Sequence, residues 1–476
     1  MLPASKEQET TIPGPPRGWG ALLGRKHGPV AATLAGGVAL HAINVFLATT
    51  ILPSVIADIG GTELYAWATT VFVFASVLGS TIASAVLGAR GPRASYRMAA
   101  LILGIGTVIC ALAPTMPVLL IGRLVQGIGG GLLFALCYSM IRISFHEALW
   151  PRAMALVSAM WGVATLVGPA IGGVFAELNA WRWSFWILIP IVILFGTWGA
   201  SRLPAGAYDG TASRIPWVSV GLLAVAVLVI SAASISSLLS INVAGLVVAM
   251  LLLFAWLNHE RKATRRLLPA AAFGPNPRLR LVYLTMSLLV IASTVEVFVP
   301  YFGQRLQGLG PLAAGYLGAV MAAGWTAGSI LCSGIENRRL LIVAIAPAFS
   351  ALGLMVLIFT GPVHSGGALA IGGIAIGLLL LGWGVGMAWP HLTTMVLQFV
   401  PDEDQGLAGS SVTTVQLTAT AFGSAIAGAI TNVAGFADTN SIVGVQTAAQ
   451  WLFGIFTLAA LIALATAILT ARSTRH

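Results

Sequence analysis

The sequence predicts an all-α membrane protein built from fourteen spans, and three observations predict it. The chain of 476 residues is 58% hydrophobic and only 8% charged, whereas soluble domains carry about 25% charged residues. Apolar runs of roughly 20 residues, the length a helix needs to cross a hydrocarbon core, recur from end to end. The Lys and Arg residues gather in alternate connections between those runs, as they do in proteins whose basic loops stay on one side of a bilayer.

Residues 1–29 are polar and interrupted by Pro3, Pro13, Pro15 and Pro16, so a disordered cytoplasmic tail is expected. The first apolar run begins near Val30 and is too long for a signal-peptide core, so no cleavable signal is expected. Spans are read near 30–56, 65–88, 95–113, 117–142, 153–176 and 182–201, then near 216–236 and 241–257. Six more follow near 281–302, 311–334, 340–360, 367–397, 407–434 and 445–470. The expected organisation is a six-helix bundle over 30–201 and a linker over 202–280 that carries two extra transmembrane helices. A second six-helix bundle over 281–471 and a short tail over 472–476 complete the chain.

An even number of spans puts both termini on one side. With the amino terminus inside, 21 of the 24 Lys and Arg residues fall in cytoplasmic segments. Arg182 and Arg305 fall outside, and Arg123 lies within a span. The net charge of +10 is therefore read as topology; its dispersal over many short connections argues against a nucleic-acid partner. Cys110, Cys137 and Cys332 lie in separate apolar segments, without metal-ligand spacing or a disulfide framework, and neither a metal nor a cofactor is expected.

Two stretches carry an unusual order of charge, glycine and proline. In Leu120 to Gly131, Arg123, Gly127 and Gly130 share one helical face. An arginine there is costly in hydrocarbon and needs a cavity or a polar partner, which makes it a functional candidate. In Gly162 to Gly173, the spacing lines Gly162, Pro169 and Gly173 along one face. Small residues admit a neighbouring helix closely, and Pro169 removes a backbone donor and invites a bend. A weak internal repeat is also visible: Gly79-Ser80-x-x-x-Ser84 and Gly328-Ser329-x-x-x-Ser333 both precede a basic turn. Parallel repeats of this kind place a substrate path between the halves, near the midplane.

The run Arg123-x-x-Gln126-Gly127-x-Gly129 resembles the fourth-helix motif of the major facilitator superfamily, and Gly162 to Gly173, with Gly168, Pro169 and Gly172 inside it, resembles the fifth-helix motif of its proton-driven antiporters. The likeness to its fourteen-helix drug:proton antiporter branch continues at Leu52-Pro53 to Gly61, Ala180 to Trp186, Gln307 to Gly315, Gly382 to Pro390 and Gly406 to Gly423. The resemblance implies the major facilitator fold and a multidrug efflux transporter. Two positions depart from the pattern. Asn44 stands where an aspartate is usual early in the first helix. Gly88 stands where another is usual before the Arg90-Gly91-Pro92-Arg93 turn, leaving only the basic half of that motif.

Glu296 is the one acidic residue well inside an apolar span. An acid in such surroundings is a proton-carrier candidate, unless its place about 9 Å from the outer end keeps it hydrated. Arg123 lies seven residues into its span; its charge can help a nearby acid release a proton, or it can be a structural arginine that never meets substrate. His41 shares a face with Asn44 and titrates near neutral pH in ordinary surroundings, although a lone histidine in a span is more often a hydrogen-bonded packing residue.

The expected substrate path comprises Asn44, Gln126, Trp161, Phe298, Tyr301, Trp325, Trp389 and Gln416, with Thr413 and Thr414 as neighbours. The same aromatic residues also serve membrane cores as filler or interface anchors. His391 is expected at an interface between helices, and the conformational motif is Gly162, Gly168, Pro169, Gly172, Gly173, Arg90 and Arg93.

The resulting expectation is a bacterial inner-membrane exporter, monomeric, that moves amphipathic, apolar or weakly cationic small molecules outward against protons by alternating access. The proton gradient across the lipid bilayer is its only energy source. A nutrient or lipid-like substrate importer or facilitator of the same fold is the nearest alternative. A membrane-embedded enzyme would want a nucleophile with its base, and the adjacent pair His146-Glu147 has no such surroundings. A channel would want rings of repeated lining groups, which the sequence lacks.

Overall fold

Helices account for every regular element among the described residues, which in this computed structural model are 19–146, 149–206, 216–332, 335–365, 367–401, 405–436 and 441–475. After a short helix at Trp19–Leu23, the main elements of the first half are α1 (Gly28–Ile59), α2 (67–90), α3 (92–112), α4 (Met116–Ser144), α5 (Trp150–Glu177) and α6 (Trp183–Gly199). Two further helices, α7 (Trp217–Ser234) and α8 (Leu239–Lys262), separate it from the second half. That half contains α9 (Arg278–Arg305), α10 (Pro311–Cys332), α11 (Arg339–Thr360), α12 (Ala368–Gln398), α13 (Gln405–Val433) and α14 (Ile442–Arg475).

Eleven helical stretches among the described residues are long and apolar enough to cross a membrane. One of them, Thr62–Leu112, holds both α2 and α3, which divide at Gly91 with φ 73° and ψ 170°. That positive φ is open to glycine and strained for other residues, so Gly91 lets the chain turn sharply between the two helices. The shorter α6 and the more polar α13 complete the fourteen.

Two helices expected to be continuous are broken, each by a proline. In α6, Pro190 offers no N–H to the carbonyl of Trp186, and the helix interrupts at Ile187 before ending in a π turn over Phe195–Gly199. In α9, Pro300 cannot serve the carbonyl of Glu296. The chain tightens into a 3-10 segment over Thr294–Phe298, so that the N–H of Val299 reaches that carbonyl instead. Glu296 therefore sits in a break, where sequence alone suggested an unbroken span.

Glycines set how closely the first half packs. A methyl group at Gly127 or Gly131 would strike the backbone of α2 at Phe72 or Ser76, and one at Gly129 would strike the backbone of α3 at Leu103. One at Gly130 would meet the ring of His41 on α1. Two helices thus approach α4 to near backbone contact and a third meets it through a side chain, the arrangement that van der Waals packing favours where water is absent.

Between the halves, α5 packs on α10, α10 also meets α1, and α13 packs on the α2–α3 segment. The extra pair α7–α8 packs on itself, with α7 against α13. Glu260, at the end of α8, is buried and accepts hydrogen bonds from Ser219 Oγ and from the backbone N–H groups of Leu267 (2.9 Å) and Leu268 (3.1 Å). It clamps the following loop against α7. Its place at a helix end beside Arg261 and Lys262 gives no sign of this in the sequence.

The halves close at the end remote from the chain termini, called distal below. Tyr65 stacks on Phe298 at 4.9 Å, and Tyr301 lies 4.6 Å from Phe436. Tyr65 Oη donates to the carbonyl of Val297 at 3.1 Å, and Asn432 Nδ2 donates to the carbonyls of Glu63 (2.9 Å) and Ser234 (2.8 Å). On the other face of the molecule, Tyr316 Oη donates to the carbonyl of Leu166 at 3.2 Å, and the Leu312 N–H donates to Glu177 Oε1 at 3.3 Å. One buried apolar core spans both halves here, from Leu47 and Ile51 to Phe453 and Phe456. Toward the termini the buried cores divide, one within Leu22–Leu203 and another within Val220–Ala467, with Leu78 of α2 packed against the second. Arg182 and Arg305 both sit at distal helix ends, as the charge asymmetry predicts.

Candidate functional site

Arg123 projects from α4 into the first half and is 1% exposed. Its Nε donates to the carbonyl of Ala68 at 3.1 Å, and its Nη1 donates to Asn44 Oδ1 at 3.2 Å and Gln126 Oε1 at 3.0 Å. The guanidinium lies 4.0 Å over the ring of Phe72. Gln126 Nε2 continues the chain to Thr107 Oγ1 at 3.0 Å, and that hydroxyl donates to the carbonyl of Leu103. A buried cation is thus held by neutral oxygens and one π face, and no carboxylate is among its described partners. Leaving any of those oxygens unpaired is costly in a dry interior, which makes the cluster rigid. Its bonds outside α4 run to a side chain of the first helix, Asn44, and to a backbone carbonyl of the second, Ala68.

His41 is buried one turn before Asn44. Its ring stacks on Phe72 at 5.4 Å, tilts against Phe134 at 5.2 Å and meets the edge of Trp161 at 6.0 Å. Its Nδ1 is buried without a hydrogen-bond partner, as is Asn44 Nδ2. Phe46, Phe134, Tyr138 and Trp161 form a connected aromatic group around it, each half-buried. In the other half Trp325 and Trp389 pair at 5.4 Å, also half-buried, with Trp383 close in the same core.

Glu296 is half-buried, and its Oε2 is sealed from solvent with no hydrogen-bond partner. It lies just before Phe298 and Tyr301, which the structure places inside the distal closure. Gln416 is half-buried on α13, as are Thr413 and Thr414. His391 is buried and bonds the carbonyl of Cys332 through Nε2 at 3.0 Å, tying α12 to α10.

The fifth-helix glycines divide by role. A methyl group at Gly168 would meet Phe46 and the backbone of Leu47, and one at Gly172 would meet Ile51 and the carbonyl of Leu47 on α1. One at Gly173 would fall 2.5 Å from Leu312 Cα, across the boundary on α10. From the opposite side, one at Gly315 would meet Thr50 and Pro169. The seam is therefore a three-helix junction at the distal closure. Gly162, expected on the same packed face, meets nothing within 4 Å.

At the termini side, Arg93 donates to the carbonyls of Leu203 (3.0 Å) and Ser201 (3.0 Å), fastening the α2–α3 turn to the end of α6. Arg90 Nη1 lies 3.1 Å from Met98 Sδ. His146 is described, but Glu147 lies outside the described residues. No group of three or more metal-ligating side chains occurs among the described residues. Sequence reasoning missed Tyr65, Phe134, Phe436 and Asn432, which carry no motif of their own and most of whose partners are remote in the chain.

The family model of the Major Facilitator Superfamily matches residues 34–208. A protein of Mycobacterium tuberculosis named a probable multidrug-efflux transporter is 41% identical over 87% of this chain and 90% of its own length. Multidrug resistance protein 3 of Bacillus subtilis is 23% identical over 79% of this chain and 74% of its own. Among solved structures, a bacterial homologue of the human lysosomal transporter Spinster superposes with a TM-score of 0.66 at 15% identity, covering 93% of this chain and 96% of its own. A D-xylose–proton symporter gives 0.64 at 16%, covering 91% and 96%. These two likenesses concern the fold alone. The length and identity of the first match establish that this chain, a multi-pass membrane transporter, belongs to the major facilitator superfamily.

Proposed function

We propose that the chain is a proton-coupled exporter of amphipathic, apolar or weakly cationic small molecules. It lies in a bacterial inner membrane as a monomer with both termini in the cytoplasm, acts without a cofactor and has no catalytic activity of its own. The observation that carries proton coupling is Glu296, a carboxyl in a broken helix with one oxygen sealed and unpartnered beside the distal closure. It is a side chain able to take up and release a proton where the two halves part. Export of drug-like compounds is supported by the relatives named as multidrug transporters. The half-buried aromatic groups around Trp161 and around Trp325 and Trp389 supply apolar walls for such compounds.

In this reading the structure corresponds to a state closed on the outside. The distal aromatic closure and the α5–α10 junction form the outer gate, and the divided inner cores flank the path to the cytoplasm. Substrate enters from the inside while Glu296 holds no proton. A proton arriving from outside after the gate opens competes for the same state and returns inward. A potential of 100 mV is worth about 2.3 kcal/mol per charge, and a pH difference adds to it.

The test is transport in proteoliposomes with an imposed pH gradient, comparing the parent with Glu296→Gln. Gradient-driven accumulation in the parent and only gradient-independent exchange in the variant is the expected result. Transport that ignores the gradient in both refutes antiport, and gradient-driven transport by the variant removes the role of Glu296.

A further inference from the structure

An open cavity of about 420 Å³ lies where the α2–α3 turn meets the end of α6, and its walls include Arg90, Arg93, Arg97, Met98, Leu101 and Gly206. We propose that it binds the phosphate headgroup of an anionic phospholipid from the leaflet on the termini side. Three arginines line it, and no carboxylate does so among its described walls. Arg93 is held in place by its bonds to the carbonyls of Leu203 and Ser201, so its charge is fixed at the rim. Arg97 is exposed and has no partner among the described residues, and Arg90 touches only a thioether sulfur. Both guanidinium groups have donors to give, in a fork geometry that suits phosphate oxygens. The cavity also lies at the amino-terminal end of α3, where the helix dipole favours an anion.

A free phosphate and a lipid headgroup share this chemistry, and the face of α3 selects the lipid. Leu101 is both a wall of the cavity and the start of a stripe pointing away from the protein. It is 64% exposed, Ile105 48% and Leu112 62%, at helical spacing continuous with Arg97. From Leu101 to Leu112 the helix rises about 16 Å at 1.5 Å per residue, close to half of a hydrocarbon core of about 30 Å. A phosphate seated among the arginines thus has its acyl chains alongside an apolar groove wall of matching length. The occupant bridges the α2–α3 turn to the end of α6. This inference rests on α3 crossing the membrane and on neither proton coupling nor the direction of transport.

The experiment is native mass spectrometry of the detergent-purified full chain. Phosphatidylglycerol or phosphatidylcholine with identical acyl chains is added, and inorganic phosphate serves as competitor. Preferential retention of phosphatidylglycerol is expected. A loss of roughly fivefold per arginine removed follows from the usual attraction of a basic side chain to an anionic lipid surface. Arg97→Gln then weakens retention about fivefold and the Arg90→Gln/Arg97→Gln pair about 30-fold. Arg25→Gln, an exposed basic residue outside the cavity, leaves retention unchanged. Should the double variant fail to fold, the single variant and the parent at raised salt decide the matter. Equal retention of the two lipids, an unaffected Arg97→Gln variant, or displacement of the lipid by equimolar inorganic phosphate overturns the proposal.

Discussion

A single methyl group on α5 should loosen the distal closure at one glycine and leave it untouched at another eleven residues away. At Gly173 an added Cβ lies 2.5 Å from Leu312 Cα and 2.8 Å from Leu312 Cδ1. The nearest of those atoms is backbone, so α5 and α10 must separate for Gly173→Ala to be accommodated. Overpacking of this kind costs about 1–3 kcal/mol, and the strain exists only while the halves are closed. At 1.4 kcal/mol per factor of ten, the distal-open population should rise between about fivefold and 150-fold. Gly162→Ala meets nothing within 4 Å and exchanges a helix-interior glycine for alanine, so it should leave the closure alone and gain up to about 1 kcal/mol of helix stability. A cysteine at Val297, 3% exposed behind the closure, reports the difference through its rate of alkylation by an impermeant maleimide. Acceleration by Gly173→Ala and none by Gly162→Ala is the expected pattern. Equal rates in both variants refute the assignment of Gly173 to the closing surface.

Other substitutions test separate parts of the account. Arg123→Met removes the donor from three buried oxygens, those of Ala68, Asn44 and Gln126, and each unpaired group costs about 1–3 kcal/mol. A marked loss of thermal stability in detergent is expected, and an unchanged melting curve would contradict the network. Arg182→Gln removes an ion pair to Asp58 at 2.6 Å whose side chains are 37% and 49% exposed. Exposed pairs contribute about 0–1 kcal/mol and the bond from Arg182 Nη2 to the Ala113 carbonyl at 3.1 Å adds to it, so the same melting assay should respond less than to Arg123→Met. Tyr65→Phe deletes the bond to the Val297 carbonyl but keeps the stacked ring. A neutral hydrogen bond of this type is worth about 0.5–1.5 kcal/mol, and labelling at position 297 should quicken by a few-fold to tenfold.

The architecture was legible because hydrocarbon imposes one strong rule on sequence, that spans are apolar and about 20 residues long. The alternation of Arg and Lys between connections then gave the number of crossings. What it did not show was where helices break. The prolines at 190 and 300 are visible in the sequence, yet Pro53, Pro169, Pro347 and Pro390 lie within helices that continue through them. Whether a proline breaks its helix depends on neighbours that satisfy the freed carbonyl. Arg123, Gln126 and Asn44 were legible as polar groups in apolar runs, and the structure joins them into one network. Phe298 and Tyr301 were legible as aromatic but not as parts of the closure, because Tyr65 and Phe436 reach them from distant segments. Glu260 was hidden by its charged surroundings, since the two N–H groups that hold it belong to a loop with no signature.

Proton release on substrate binding tests the central claim most directly. In weakly buffered detergent solution acidic enough for Glu296 to start protonated, with a pH indicator, a transported compound added to the parent protein should displace about one proton per molecule bound, and none from Glu296→Gln. Binding by the parent without any release of protons would contradict the exchange of substrate for proton on which the account depends.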